Sequence, residues 1–492
     1  MSSNTQTERP NNGPTGGPTG GPIRFAAVLM LTAVSFFAPV ATVSAQNVDP
    51  MPTITGPIPA TSPLGDPAHG FIFSPAAVDL GPLGYVQEEF FIEGTANRYT
   101  RSGMETADVV DGGHPYKTRF VVRRPLSNAA FNGTVVVEWN NVTAGQDLDI
   151  DWFQSWPHFV RAGYAWVGVS AQRVGVDALR EWSPERYGSL DVTHGGMVER
   201  DDLSYDIFAA VGRAVSESAN AVVMGGLEVE HVIATGHSQS ASRLATYLNN
   251  VHLIDPVFDG VVVHGGGGRI RDDLDDVKVW KLLAETDMGR QVSTRQPDTD
   301  HFRTWEVAGS SHVDIIFAVE SAKVRGVMNG QTEAEALAGI PAAGELSGRC
   351  DRPEYSRVPF RYVMNAAYDH MVRWIEGRGA PPTASPMDAE SIGPPAVFVR
   401  DAEGNATGGI RLAAHAVPTA LNAGQNTGQG FCRLYGAHDP FDAATLARLY
   451  PSHDSYVAAV REVAMANVAA GYILEVDAAE TIRLAEESSI GR

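Results

Sequence analysis

The chain has 492 residues, 43% of them hydrophobic and 19% charged, which is enough apolar matter for a large core and excludes a disordered chain. Lys and Arg total 37 against 58 Asp and Glu, a net charge of −21, which argues against nucleic acid, anionic membrane surfaces and polyanionic substrates. Two cysteines exclude a disulfide-dense scaffold, an iron–sulfur cluster and a Cys-rich zinc site.

In chain order, residues 1–45 read as an export signal. A polar leader with Arg9 and Arg24 precedes an apolar run that breaks at Pro39 and ends in Val43-Ser44-Ala45. The run is short for a membrane span, and no later stretch is long and apolar enough to make one. Export would expose Cys350 and Cys432 to an oxidising compartment, where a lone pair closes into a disulfide. Residues 46–84, rich in Pro, Gly, Thr and Ser, read as an extended arm.

A core follows over 85–380. EEFFIEG (88–94), KTRFVVRRP (117–125), GTVVVEW (133–139), YAWVGVS (164–170), HVIATG (231–236), GVVVHG (260–265), VKVWKLLAET (277–286) and FRTWEVAG (302–309) read as strands. Helices are expected over 151–163, along Leu203-Ile207-Val211-Val215 at four-residue spacing, from Leu244 to Val251, and over 359–377. Alternating strands and helices with continuous apolar strands imply an α/β fold with a mostly parallel central sheet and helices on both faces. The tail, 381–492, reads as a mixed extension packed on the core, with a hairpin over 397–412 and alanine-rich helices over 440–488.

The motif that carries chemistry is TGHSQSAS. A β-run ends at Gly236, Ser238 follows two residues on, and a helix begins at once. This is the layout of a nucleophile elbow, in which the turn demands small neighbours and Gly236 and Ser240 supply them. Such a serine needs a base, and in this architecture the order is nucleophile, acid, histidine. His312 stands after the strand that ends FRTWEVAG. The acid is Asp287 or, as the alternative, Glu285, both at the end of the preceding strand; Asp298 and Asp300 are remoter candidates. The oxyanion is expected to meet the Gln239 N–H at the helix start and a donor from Asn140 or Asn141 after GTVVVEW. HGGGG (264–268) resembles an oxyanion motif but follows the nucleophile instead of preceding it, so it reads as a flexible loop near the site. Asp147, Asp149 and Asp151 alternate as in a calcium loop, but Trp152 stands where glycine is required, so they read as caps for the next helix. No phosphate loop or dinucleotide fingerprint is present. No metal and no cofactor is therefore expected, and the expected partner is a small-molecule ester. The segment 171–202, with Trp182, Tyr187 and His194, or else the tail beyond His312, would form a lid over a neutral, partly apolar substrate.

The strings YKTRFVVRRP, GTVVVEWNNV, TGHSQSASRLATYLNN, RTWEVAGSSHVD and YPSHDSYV resemble an exported bacterial alpha/beta hydrolase domain family, from about Gly84 to the C-terminus. The resemblance implies the α/β-hydrolase fold, a G-x-S-x-S elbow with Ser238 as nucleophile, and His312 as base. It carries the acid only as far as the Glu285–Asp287 segment. A serine esterase is the expected activity. A lyase or cofactor-free perhydrolase on the same site, or a catalytically silent binding protein, are the alternatives.

Overall fold

The structure, a computed structural model, describes residues 52–216 and 220–492. The expected export signal, 1–45, lies outside the described residues. No helix among the described residues is long and apolar enough to cross a membrane.

Valine and isoleucine runs dictate the centre. In β4 (Thr134–Trp139) every residue is buried, and successive side chains point to opposite faces. Val135 and Val137 join one core while Val136 joins another. The same split runs through Val261, Val262 and Val263 of β7 (Gly260–His264). Both faces of the sheet are therefore covered, and each such side chain contributes roughly 1.5–3 kcal/mol by leaving water. One layer contains α2 (Arg173–Trp182), α3 (Ser204–Ser216) and α4 (Gln239–Thr246); the other contains α1 (Ile150–Ala162), α6 (Ile315–Met328) and α7 (Phe360–Ile375).

The sheet has nine strands in the order β1-β2-β3-β5-β4-β6-β7-β8-β9. From β5 (Ala165–Val169) through β4, β6 (His231–His237), β7, β8 (Lys278–Ala284) and β9 (Phe302–Val307) all pairings are parallel. β2 (Tyr85–Tyr99) and β3 (Val109–Pro125) form a long antiparallel ribbon on β5, and β1 (Thr53–Thr55) closes the edge. The chain runs β4–β5–β6 while the sheet order is β5-β4-β6, so the path reverses there. Ligands bind outside the carboxyl ends of strands at such a switch point. The segments after β4, β6, β8 and β9 all leave from that one edge.

Two expectations shift. β8 stops at Ala284, and α5 (Glu285–Gln291) begins at once, so Asp287 stands in the first turn of a helix. The hairpin expected over 397–412 is only a bridge between Arg400 and Ala406 around the turn. The return leg is captured by β9, with Ile410 N–H on Glu306 O at 2.7 Å and Ala308 N–H on Ile410 O at 3.0 Å. An edge strand has unpaired amides and carbonyls to offer, and Ile410 meets them. The tail ends in α8 (His453–Ala469) and α9 (Glu475–Glu487). Cys350 and Cys432 are joined by a disulfide.

Candidate active site

β6 ends at His237 and α4 starts at Gln239. Ser238 stands between them with φ +62° and ψ −111°. A serine with positive φ is strained by about 1–3 kcal/mol and persists only where its surroundings hold it. Ser238 N–H donates to His264 O at 2.9 Å, and Ser238 O accepts from Ser242 N–H at 3.2 Å. A Cβ at Gly236 would come within 3.0 Å of Ser240 Cβ and 3.2 Å of Leu244 Cδ1, which explains the glycine. Ser240 is fully buried, and its hydroxyl donates to Asn140 O at 3.2 Å. It ties the elbow to the loop after β4, a bond that glycine in the fifth position could not make.

His312 reaches the same point from the end of β9. Its Nε2 lies 2.7 Å from Ser238 Oγ, and its Nδ1 lies 2.5 Å from Asp287 Oδ1. The other Asp287 oxygen accepts Ala284 N–H at 2.7 Å, so the carboxylate is fixed by its own helix start. The His312 amide donates to Thr286 Oγ1 at 3.2 Å, and Val313 N–H donates to Leu434 O at 2.9 Å. Glu285 is not part of this chain of contacts. Its buried carboxylate accepts from Arg400 Nη2 at 2.9 Å and from Gly309 N–H at 2.8 Å. Asp298 pairs with Arg303 at 2.8 Å.

Gln239 opens α4, so its N–H has no intrahelical acceptor and is available at the elbow. The backbone amides of Asn140 and Asn141 are already used. Asn140 N–H donates to Val169 O at 3.2 Å and Asn141 N–H to Leu148 O at 3.0 Å, the first continuing the ladder with β5 and the second closing the loop. The Asn141 side chain donates to His237 O at 2.9 Å and so supports the elbow from below. Farther along, Thr143 N–H donates to Asn141 Oδ1 at 2.8 Å. Among the described residues of this loop, the Val142, Ala144, Gln146 and Asp147 amides have no protein acceptor, and Ala144 and Gln146 border the cavity beside Ser238.

A family model for the alpha/beta hydrolase domain matches residues 54–483. The chain belongs to this family. No curated protein matches it. Solved structures with partial likeness include an a/b serine hydrolase without lid from Xanthomonas campestris, at 13% identity and TM-score 0.26 over 45% of this chain and 88% of that one. Another is an arylesterase, at 12% identity and TM-score 0.26 over 48% and 83%. A third is esterase Est22, at 10% identity and TM-score 0.30 over 54% and 82%.

Behind the elbow, this alpha/beta hydrolase carries a group that sequence reading missed. His237 and His264 stand at the ends of neighbouring parallel strands, in register. Their rings lie 4.4 Å apart, and the His237 ring lies 4.2 Å from that of His312. His264 Nδ1 is 2.6 Å from Asp151 Oδ1, whose other oxygen accepts from Thr235 Oγ1 at 2.5 Å. Asp147, Asp149 and Asp151 therefore do not cap α1. Asp147 accepts from Ser170, Asp149 pairs with Arg123 at 2.6 Å, and Asp151 holds His264. The cap comes from Glu138, which accepts from Asp151 N–H at 2.9 Å and Trp152 N–H at 3.1 Å. The signals were the histidine inside the elbow and the histidine opening HGGGG, but their adjacency depends on strand register.

Burial pushes the His237 imidazole well below its ordinary value, and the neighbouring His312 and His264 rings push the same way. It is therefore uncharged at neutral pH and puts no positive charge beside the His312 and His264 rings. The pH profile of kcat/KM from pH 5 to 8 is therefore expected to rise through a single ionisation, the sign required of a base that works unprotonated. Two resolved ascending limbs would show His237 gaining charge.

Two cavities meet at Ser238 and His312. One, of about 380 Å³, is lined largely by apolar groups, among them Leu148, Ile150, Phe317, Ile340 and Leu434. The other, of about 1110 Å³, opens along Gln239, the glycines 265–268, Asp287 and Arg290. The tail contributes Leu434 to both. Segment 171–202 supplies neither wall. Trp182 stacks on His69 at 4.4 Å, and the Tyr187 hydroxyl donates to Glu89 at 2.8 Å. Its aromatics anchor the N-terminal arm, and the tail beyond His312 covers the site.

Proposed function

We propose that the protein is an exported serine hydrolase that cleaves carboxylic esters. The observation that carries this reading is the unbroken line from Asp287 through His312 to Ser238, at 2.5 and 2.7 Å, on the strained turn after β6. Ser238 Oγ attacks the acyl carbon while His312 Nε2 takes its proton. Asp287 holds the Nδ1–H tautomer and stabilises the imidazolium. The Gln239 N–H, with a second amide from the loop at 142–144, receives the charge that develops on the carbonyl oxygen. Collapse expels the alcohol, which takes the proton back from His312. Water then attacks the acyl-enzyme with the same histidine as base, releasing the acid and restoring Ser238.

Export is supported by the Cys350–Cys432 disulfide, a bond that forms and persists in oxidising compartments. The test uses the purified chain with a panel of p-nitrophenyl esters and a fluorophosphonate probe. Turnover of short-chain esters and one covalent label on Ser238 are expected. An unlabelled, inactive folded protein would refute the reading, and turnover of a non-ester substrate alone would favour the lyase or perhydrolase alternative.

A further inference from the structure

Acids outnumber bases 58 to 37 in this chain, yet the wide cavity at Ser238 inverts that balance. Arg101, Arg243, Arg290 and Arg433 line it, and Asp287, already engaged with His312, is the one carboxylate among its lining residues. Two of the four arginines are neutralised from outside the cavity, Arg101 by Asp202 and Arg243 by Asp201 at 2.9 Å. The other two meet no carboxylate among the described residues. Arg433 donates only to Gly430 O, at 3.3 Å.

Their placement follows from the triad itself. Arg290 is three residues after Asp287 on α5, so the two share a helix face. Arg433 lies between Cys432, in the disulfide, and Leu434, whose carbonyl accepts Val313 N–H directly after His312. Both guanidinium groups are thus carried by the segments that position the acid and the base. Unpaired arginines in a strongly acidic protein, at the mouth of a catalytic site, suit a planar anion, because the guanidinium fork matches a carboxylate with two parallel hydrogen bonds. The smaller cavity on the other side of Ser238 has one arginine, Arg325, which donates to Ser321 Oγ at 2.6 Å, among mostly apolar lining groups, and suits an aliphatic or aromatic group.

We propose that the ester cleaved here bears a carboxylate that engages Arg290 and Arg433 in the wide cavity, with an apolar group across the scissile bond in the small one. This rests on the serine-hydrolase reading above. It replaces the neutral ester expected from net charge, because a sum over the chain says nothing of the local field in a cleft.

The experiment compares p-nitrophenyl butyrate with two carboxylated partners, p-nitrophenyl hemisuccinate and 3-carboxy-4-nitrophenyl butyrate, which place the anion on the acyl and the phenol side respectively. One carboxylated ester is expected to exceed the neutral one in kcat/KM by about tenfold, mainly through KM, with the advantage shrinking as salt is raised. In the double variant R290Q/R433Q that ratio is expected to fall to about one, while Arg483→Gln, a charge change on α9, leaves it in place. Esterase activity with no anionic preference, or a preference that survives the double variant, would overturn this proposal while leaving the hydrolase intact. No turnover of any of the three esters and no fluorophosphonate label would overturn both.

Discussion

Ser238→Ala is expected to lower kcat on esters by on the order of 10⁵–10⁶-fold and to abolish fluorophosphonate labelling, with the fold unchanged. The two halves of this expectation have separate causes. Removing Oγ leaves His312 with nothing to deprotonate but water, and residual rate comes from the oxyanion donors and binding alone. The fold survives because Ser238 Oγ has His312 as its partner, while the backbone at φ +62° is held by the amide bond to His264 O and not by the side chain. Alanine bears the same Cβ in the same strained turn, so melting within about a degree of the parent is expected. Steady-state kinetics and a thermal melt on the same preparation check both. Retained turnover would place the chemistry elsewhere.

Asp287→Asn is expected to cost on the order of 10³–10⁴-fold in kcat, and Glu285→Gln less than tenfold. The asparagine keeps the shape, but it removes the charge that stabilises the imidazolium and permits the wrong His312 tautomer. Glu285 differs because its carboxylate is buried and shared between Arg400 and Gly309 N–H, 2.9 and 2.8 Å away. Neutralising it strands a guanidinium bond and should cost about 1–3 kcal/mol of stability, read as a lower melting temperature with kcat largely kept. If Glu285→Gln lost as much activity as Asp287→Asn, the assignment of the acid would fall.

The elbow was legible because everything that makes it is local. A β-branched run, a small residue two before the serine and a helix directly after it constrain one another through neighbours in the chain. The parallel core was legible for the same reason: GTVVVEW and GVVVHG are apolar at every step, as strands buried on both faces must be. The histidine could be placed because it follows the last core strand. The choice between Glu285 and Asp287 was not legible. The two differ by two residues, and only the start of α5 at Glu285 turns one toward His312 and the other toward Arg400.

The misread residues share a physical cause. The backbone amides of Asn140 and Asn141 look free in a loop, but Val169 of β5 and Leu148 already accept from them. Asp147, Asp149 and Asp151 look like helix caps, but they face Ser170, Arg123 and His264 from other strands. The return leg at Ile410 looks like half of a hairpin, but the open edge of β9 takes it. Each depends on a partner far away in the chain.

By itself, then, the sequence determined the strands, the sharp serine turn and the order of serine, carboxylate and histidine, since periodicity and side-chain size act between near neighbours. Tertiary structure decided which carboxylate meets the imidazole, which amides stay free for an oxyanion, and that an acidic protein opens a cationic mouth at its serine. Those outcomes depend on strand register and on a disulfide-anchored tail folding back over the site, and neither can be read from local spacing.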